Sequence, residues 1–394
     1  MSSKDKFNKV KIKEGLKPMP DRKYQNLLSL CRVQSVSYKE HEMQFYVMTQ
    51  LMSRHGVDAW FDEHGNIYAV KGEAEHYPCV VAHLDTVHDF VDKLVLYSYI
   101  KKDQKFLFAK DGNGKATGIG GDDKCGIFAA LELLDRKKNI KLAFFVEEEM
   151  GCIGSDNADT EFFEDVGYIM QLDRWGNSDV ISDYIGSTTS AEFDLKIKPK
   201  MLKYGYSTAS GLMTDSLTLH SNEIGVSAIN ISCGYYGHHT SSEEINTAEL
   251  WNAVMFTSEM IDALGENAYP SLPEKYSSYY GSDARDYSGR YDTYEERKES
   301  AVARFLRNQE RTDLNAADIY QNVYDRLVDW HKLTYEEQEE LRDDWVFLYG
   351  YELTDDELNT YTNYLNDGGD DSDDEQDYTD FDSAIDNAEV NGNK

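Results

Sequence analysis

The sequence has few cysteines and no long apolar run. Its five cysteines are odd in number and lie singly within apolar segments, which is typical of reduced core thiols and not of a disulfide framework. They include no C-x-x-C pair of the kind that forms thiolate zinc sites. No apolar stretch is long enough to span a bilayer, and none follows the basic N-terminus as a secretory signal requires. We therefore predict a cytoplasmic protein that does not enter a membrane.

Basic residues are outnumbered by acids along the 394-residue chain. Lys and Arg total 40 against 73 Asp and Glu, which gives a formal net charge of -33. An acidic surface repels nucleic acid and anionic membranes, so we expect neither as the main partner. Part of the acidity is local, because residues 367–394 carry eleven acids and one base. Hydrophobic residues make up 40% of the chain, enough for a sizeable core in one or two domains.

Residues 21–265 alternate between strand-like and helix-like stretches. The apolar strands are YPCVVAHLD, KLAFFVEEE, YIMQLD and VSAINISC. DDKCGIFAALELLDRKK and TAELWNAVMFTSEMIDAL have helical periodicity, and Ser37 and Glu40 have the spacing of a capping box for a helix that ends at Gly56. Such alternation, with nearly continuous apolar strands, predicts a three-layer α/β/α domain around a central mixed, mostly parallel sheet.

The rest of the chain differs in composition from this domain. Residues 1–20 form a basic arm, and the tyrosine-rich residues 266–300 are predicted to be a linker or a surface arm. Residues 301–366 have helical periodicity and predict a small helical module, which could recruit a protein partner. Residues 367–394 are acidic and low in complexity, and we expect them to be disordered.

A histidine and an aspartate end the strand YPCVVAHLD. Side chains alternate faces along a strand, so His83 and Asp85 point the same way. The carboxylate could then bind one imidazole nitrogen and leave the other for a metal or a proton. An isolated H-x-D is more often a buried histidine that is paired with a neighbouring acid. The other motifs of the chain must decide between these interpretations.

Acids and histidines also stand at four later turns of the same domain. These turns are GGDDKCG, FFVEEEMGCIGS, YIMQLDRWGN and GYYGHHTSSEE. Open α/β sheets bind ligands at the ends of their strands, although any one such acid is more often a helix cap or a solvated loop residue. Together they would crowd carboxylates at one edge, which is costly without a cation. Two histidines with several carboxylates suit zinc, and cobalt or manganese would also fit.

The order of these motifs resembles the two-metal zinc exopeptidase superfamily. H-x-D, D-D-x-x-G, E-E-x-G-x-x-G-S, L-D and H-T follow one another within about residues 30–262. VDAWFDEHGNIYAVKG and TDSLTLHSNEIGVSAINIS are similar to softer features of the same superfamily. The resemblance implies an α/β fold, two bound Zn²⁺ ions, and a peptide or small amide as substrate. The C-terminal third of the chain lies outside it.

The resemblance also implies a role for each polar residue. Glu148 would be the general base, and Asp85 would orient His83. Asp122, four residues before Gly126, would bridge the two metals. The implied metal ligands are His83, Asp122, Glu149, Asp173 and His239.

Several assignments stay open at this point. His238 competes with His239, although the superfamily's ligand directly precedes Thr or Ser. Strict alternation along FFVEEE would place Glu148 on the opposite face from Glu149, so the implied roles require the strand to break at Glu148. Arg174 could pair with an acid or hold a substrate carboxylate.

The distance between the fourth and fifth motifs indicates the compact branch of the superfamily. Only 66 positions separate Asp173 from His239, which leaves no room for the lid domain of other branches. Because the compact branch consists mostly of aminopeptidases, we expect an exopeptidase that hydrolyses an N-terminal peptide bond. The alternatives are a di-zinc amidohydrolase, deacylase or carboxypeptidase acting on another small amide, and a catalytically silent binding protein of the same fold.

Overall fold

The computed structural model describes residues 13–183, 186–212, 214–222 and 224–271, together with the isolated positions 334 and 338. The predicted helical module and acidic tail, apart from those two positions, and residues 1–12 of the N-terminal arm lie outside the described residues. The α-helices in these ranges are α1 (Asp21–Arg32), α2 (His41–Met52), α3 (Gly121–Arg136), α4 (Ile153–Asp156), α5 (Ala191–Tyr204), α6 (Asp215–Ser221) and α7 (Thr247–Leu264). Two 3-10 turns span Glu148–Met150 and Thr160–Phe163. Within this part of the chain, no helix is long and apolar enough to cross a membrane.

The strands of the described ranges form two sheets. They are β1 (Val57–Phe61), β2 (Ile67–Lys71), β3 (Tyr77–His83), β4 (Leu94–Lys101), β5 (Gln104–Asp111), β6 (Ala116–Thr117), β7 (Ile140–Phe145), β8 (Val166–Arg174), β9 (Asp179–Asp183), β10 (Ser207–Ser210), β11 (Ser227–Ser232), β12 (Tyr235–Tyr236) and β13 (Glu244–Asn246). The larger sheet has eight strands in the order β1-β2-β7-β3-β8-β11-β9-β10. The central strands β7, β3, β8 and β11 run parallel, so their carboxyl ends meet at one edge.

Both faces of the larger sheet are covered by apolar side chains. β3 is buried along its whole length. Val80 and Ala82 belong to one apolar cluster with α3 and α7, whereas Cys79 and Val81 belong to a second cluster with α6 and the turn Thr160–Phe163. Because alternate residues of a strand feed opposite faces, the strand anchors two helical layers. The predicted three-layer α/β/α domain is confirmed.

The smaller sheet frames the loop that carries the paired histidines. It has the order β12-β13-β5-β4, with β6 beside β5. Tyr235 pairs with Ile245 and Tyr236 with Glu244 in an antiparallel hairpin. Residues 237–243 connect the two strands, so the hairpin fixes both ends of this loop.

The predicted capping box at Ser37 and Glu40 is wrong. Glu40 itself stands at the N-cap position of α2, without a side-chain capping bond, and the helix ends four residues before Gly56. Glu40 Oε1 accepts from the N–H of Tyr38 at 2.9 Å. Ser37 Oγ instead donates to Asp85 Oδ2 at 2.7 Å. Ser37 therefore bonds to a buried carboxylate that is distant in sequence, and it does not cap α2 as its spacing to Glu40 predicts.

The residues after α7 return to the sheet. Tyr269 is buried beside Tyr168 and Phe193, with ring centroids 5.8 and 5.7 Å away. Pro270 forms a bridge with Val226. The first residues of the segment predicted as a linker or arm therefore pack on this domain.

Candidate metal centre

The ends of the parallel strands bring polar side chains to one edge of the larger sheet. β3 ends at His83, and β8 carries Asp173 one residue before its end. Glu148 and Glu149 follow β7 in a 3-10 turn, and His239 lies in the loop between β12 and β13. Residues from four separate stretches of the chain therefore face one another.

Asp122 lies between two histidines. Asp122 Oδ1 is 3.2 Å from His83 Nε2, and Asp122 Oδ2 is 3.3 Å from His239 Nε2. The side chain projects from the irregular start of α3, where Asp122 and Asp123 have non-helical backbone angles and are joined by a cis peptide bond. Each oxygen of one carboxylate thus faces a different imidazole, which is the arrangement that a shared ligand of two cations needs.

His83 is fully buried, and both of its ring nitrogens are engaged. Nδ1 lies 3.0 Å from the backbone oxygen of Asp85 and 3.3 Å from Asp85 Oδ1. These acceptors place a ring proton on Nδ1, so Nε2 is the nitrogen that would bind a cation. Nε2 also lies 3.9 Å from Glu148 Oε2 and 3.8 Å from Asp173 Oδ1. Nε2 therefore points into a group of carboxylates.

The carboxylate of Asp85 holds the turn after β7 in place. It accepts from the N–H of Glu148 at 2.9 Å and from the N–H of Glu149 at 3.2 Å. The strand ends before these residues, because Glu147 has a left-handed backbone with φ 55°. The break that the implied roles require at Glu148 is therefore present, since β7 ends at Phe145 and the chain turns at Glu147. Since Glu148 and Glu149 lie in a turn, strand alternation no longer separates their side chains.

His239 and His238 point to different neighbours. His239 Nε2 is 2.9 Å from Glu149 Oε1, in addition to its contact with Asp122. The ring of His238 stacks on Trp175, with centroids 6.2 Å apart and an interplanar angle of 22°. The structure therefore directs His239, and not His238, towards the carboxylates.

Asp173 is held by hydroxyl groups from two elements. Thr214 Oγ1 donates to Asp173 Oδ2 at 2.7 Å, and the hydroxyl of Tyr235 donates to Oδ1 at 3.3 Å. Tyr236 turns the other way and donates its hydroxyl to Glu249. Of the two tyrosines before the histidine pair, Tyr235 alone contacts an acid of the site.

Arg174 follows Asp173 in sequence but is directed elsewhere. Its Nε lies 3.7 Å from Asp179 Oδ2, and its guanidinium lies over the ring of Trp175 at 5.1 Å. This geometry favours the ion-pair interpretation of Arg174.

Burial and crowding shift the pKa values of the site. Burial, and then the charge of Asp122, raise the pKa of Asp173 to about 7. Burial also raises the pKa of Glu148 well above its usual range, although His83 opposes this effect. Burial disfavours charge on His83, yet Glu148 and the hydrogen-bonded carboxylates raise its pKa well above 6.5. Hydrogen bonds, first to Asp122, raise the pKa of His239 to about 10. Without a cation, retained protons must offset the repulsion between these acids.

The donor atoms at this edge fit divalent cations. Among the described residues, three groups offer ligand atoms within 4.8 Å of one another: His83 with Glu148 and Glu149, His83 with Asp123 and Asp173, and Asp122 with Glu149 and His239. Imidazole and carboxylate are the donors of catalytic zinc sites. Bound cations would supply the positive charge that protons supply otherwise.

The structure brings together all the residues that the sequence singled out, and their roles stay predictions. They are His83, Asp85, Asp122, Glu148, Glu149, Asp173 and His239. Asp123 is partly engaged by backbone, because its Oδ2 accepts from the N–H of His83 at 3.2 Å and its Oδ1 from the N–H of Gly126 at 2.8 Å.

Two residues that hold site residues in place were not predicted from the sequence. Ser37 holds Asp85, but its spacing to Glu40 imitates a capping box. Glu243 is fully buried and accepts from the N–H of Gly120 at 2.7 Å, yet in sequence it is one acid of an exposed-looking S-S-E-E turn. Its position four residues after a candidate ligand histidine is the one available signal.

Comparison with known proteins concerns the family and the fold of the chain. The sequence model of peptidase family M28 matches residues 66–265, a range that contains every candidate ligand. The fold is similar to that of an aminopeptidase, PepT, from Bacillus cereus, with a TM-score of 0.53 and 15% identity, covering 63% of this chain and 99% of that protein. It is also similar to a tripeptidase from Staphylococcus aureus, with a TM-score of 0.52 and 15% identity, covering 62% and 98%.

The structural similarities, at such low identity, show a shared fold. No curated protein matches the chain. The family match, in contrast, spans just over half of the sequence. The chain therefore belongs to peptidase family M28, a family of metal-dependent peptidases.

Proposed function

We propose that this protein is a metal-dependent aminopeptidase that hydrolyses the N-terminal peptide bond of a short peptide. The observation that carries the proposal is the position of Asp122, whose two oxygens face His83 and His239 at 3.2 and 3.3 Å. A carboxylate shared in this way supports a pair of cations. The predicted order of ligands along the chain supports the same function.

The candidate ligands form two groups that share Asp122. His83 and Asp173 would hold one Zn²⁺ with Asp122, and His239 and Glu149 would hold the other. When bound, two such ions activate a water molecule and polarise a carbonyl group. Co²⁺ or Mn²⁺ would suit the same donors.

Glu148 is the residue that we assign to proton transfer. Its backbone is held by Asp85, and burial raises the pKa of its carboxyl well above the usual range. A general base works best when its pKa lies near the operating pH. Glu148 would accept a proton from the attacking water and then give it to the leaving amine.

Two features support an exopeptidase of the compact branch. The described residues between Asp173 and His239 build β9, α5, β10, α6, β11 and β12, which all belong to the domain itself and not to a lid. The two similar structures carry the names aminopeptidase and tripeptidase.

The five buried cysteines, which form no disulfide, support the proposed cytoplasmic location.

The test is cleavage of a tripeptide panel, followed by mass spectrometry. Each peptide is offered to zinc-loaded protein with a free and with an acetylated N-terminus, with and without chelator. Chelator-sensitive release of the first residue, from free peptides only, is the expected result. Cleavage of blocked peptides would instead indicate a deacylase or another amidohydrolase, and no cleavage with zinc bound would favour a silent binding protein.

The variant Glu148→Gln separates catalysis from metal binding. We expect kcat to fall by about 10²- to 10⁴-fold, while the bound zinc, measured by elemental analysis, stays unchanged. Glu147→Gln is the matched control, because Glu147 is the preceding acid but has a left-handed backbone outside the 3-10 turn. A Glu148→Gln enzyme with wild-type turnover would refute the assignment.

A further inference from the structure

Glu243 is a buried acid beside the metal centre that the proposed reaction does not use. It is fully buried at the end of the loop that carries His239. Its Oε2 accepts from the N–H of Gly120 at 2.7 Å, and its Oε1 accepts from the N–H of Asp122 at 3.2 Å. His88 Nε2 lies 2.8 Å from Oε2. A buried carboxylate with three polar partners is strongly fixed in position.

Glu243 and its partners connect three segments that carry candidate ligands. His88 stands five residues after His83, in the chain that leaves β3. Gly120 stands in the turn that presents Asp122 at the start of α3. Glu243 itself stands four residues after His239, and its N–H is bonded to Thr240 O at 3.2 Å. One carboxylate thus joins segments that are more than 120 positions apart in sequence.

Close packing leaves little freedom around this junction. A Cβ at Gly118 would lie 2.0 Å from the ring of His88, and a Cβ at Gly121 would lie 2.9 Å from Tyr235. The space at both positions is used by neighbouring side chains. Because this space is filled, a shift of one of the three segments would also move the other two.

We propose that Glu243 is a positioning residue that holds the segments of His83, Asp122 and His239 in the arrangement that binds the two metals. The proposal rests on the proposed function, because it assigns a purpose to that metal centre. Partners behind the ligands of metal sites commonly contribute 10- to 100-fold to affinity. An ordinary buried acid would stabilise the fold without selectively affecting metal affinity.

The variant Glu243→Gln removes the charge and keeps the shape. A glutamine has one accepting oxygen, whereas Gly120 and Asp122 each present an N–H to a different oxygen of Glu243. Either orientation of the amide leaves one of these N–H groups facing an NH2 group. The turn that carries Asp122 must then move. We expect the Kd for Zn²⁺, measured by titration calorimetry on the full chain, to rise about 10- to 100-fold.

The matched control is Glu244→Gln. Glu244 is the next residue and the same acid, but it is paired with the exposed Tyr99 hydroxyl at 2.7 Å. We expect its Kd for Zn²⁺ to stay within about threefold of wild type. A second variant, Gly118→Ala, leaves the carboxylate intact and displaces His88 from it, and its Kd should rise by a smaller factor than that of Glu243→Gln. This second variant carries the test if Glu243→Gln does not fold.

The proposal is overturned if Glu243→Gln, or Gly118→Ala where the former does not fold, binds Zn²⁺ like wild type. It is also overturned if the variant loses thermal stability in chelator as much as a core variant does while its zinc affinity stays unchanged. Failure of the proposed function would look different. Wild-type protein would then bind no Zn²⁺, or would bind it without cleaving any peptide, and this is measured before any variant is made.

Discussion

Replacing Asp85 by asparagine tests whether one carboxylate organises the metal centre. Asp85 Oδ1 accepts from the N–H of Glu148 and faces His83 Nδ1. Asp85 Oδ2 accepts from Ser37 Oγ and from the N–H of Glu149. Asparagine keeps one accepting oxygen, so its NH2 group must face one of these donor pairs. The favoured orientation turns the NH2 group towards Ser37, whose hydroxyl can accept, and leaves the N–H of Glu149 unsatisfied.

The magnitude follows from that lost bond. A hydrogen bond to a charged group contributes about 1.5–3 kcal/mol. The free energy of unfolding of Asp85→Asn, measured in chelator, should fall by that amount, which corresponds to roughly 3–12 °C in the unfolding midpoint for a domain of this size. The substitution also removes the negative charge beside His83 Nδ1, which makes His83 a stronger ligand, so the Kd for Zn²⁺ should rise about 10- to 100-fold.

Thermal unfolding in chelator and zinc calorimetry measure these two effects separately. The control is Asp89→Asn, four residues later in the same loop, where the acid is exposed. Both quantities should stay near the wild-type values in the control. If Asp85→Asn unfolds and binds zinc like wild type, the carboxylate of Asp85 does not organise the centre.

Three further variants test separate parts of the structure. His239→Phe should lose zinc binding by at least about 100-fold in calorimetry, whereas His238→Phe should stay within about threefold. Burial, and then neighbouring carboxylates, raise the pKa of Glu40 from 4.5 to about 8; the folded value exceeds the unfolded one, so wild type loses stability as pH rises between them. Glu40→Gln should therefore be more stable than wild type at pH 9 by on the order of 2–4 kcal/mol, and similar at pH 5, in urea unfolding. A Cβ at Gly126 would lie 2.3 Å from the Asp123 carboxylate, so Gly126→Ala should lower the unfolding free energy by about 1–3 kcal/mol in thermal melts.

Each of these expectations has a contrary result. Equal zinc losses in the two histidine variants would remove the distinction between His238 and His239. A stability difference between Glu40→Gln and wild type that does not change with pH would show that Glu40 is ionised in the fold. Wild-type stability of Gly126→Ala would show that the start of α3 adjusts without strain.

The fold class was accessible from the sequence because it rests on local patterns. The apolar run from Cys79 to Ala82 predicts a buried strand, and residues 247–264 have a continuous helical period. Parallel strands end at one edge of a sheet whatever their exact order. The prediction that polar residues at these strand ends would meet needed no knowledge of strand order.

Predictions from local spacing were wrong where a group distant in sequence binds the side chain or backbone concerned. Ser37 has the local spacing of a cap, but it lies 2.7 Å from a carboxylate 48 positions away. The strand alternation of KLAFFVEEE ends at Phe145, because Asp85 binds the N–H groups of the turn that follows.

The sequence by itself determined that acids and histidines would gather at one sheet edge, since side-chain periodicity and the chain order of the motifs are local properties. Only the tertiary structure decided that His239 and not His238 faces Asp122, and that Glu243 lies behind Asp122. The reason is physical. Backbone N–H groups and buried carboxylates must find partners wherever the fold brings them together, and the partners of Glu243 are up to 155 positions away in sequence.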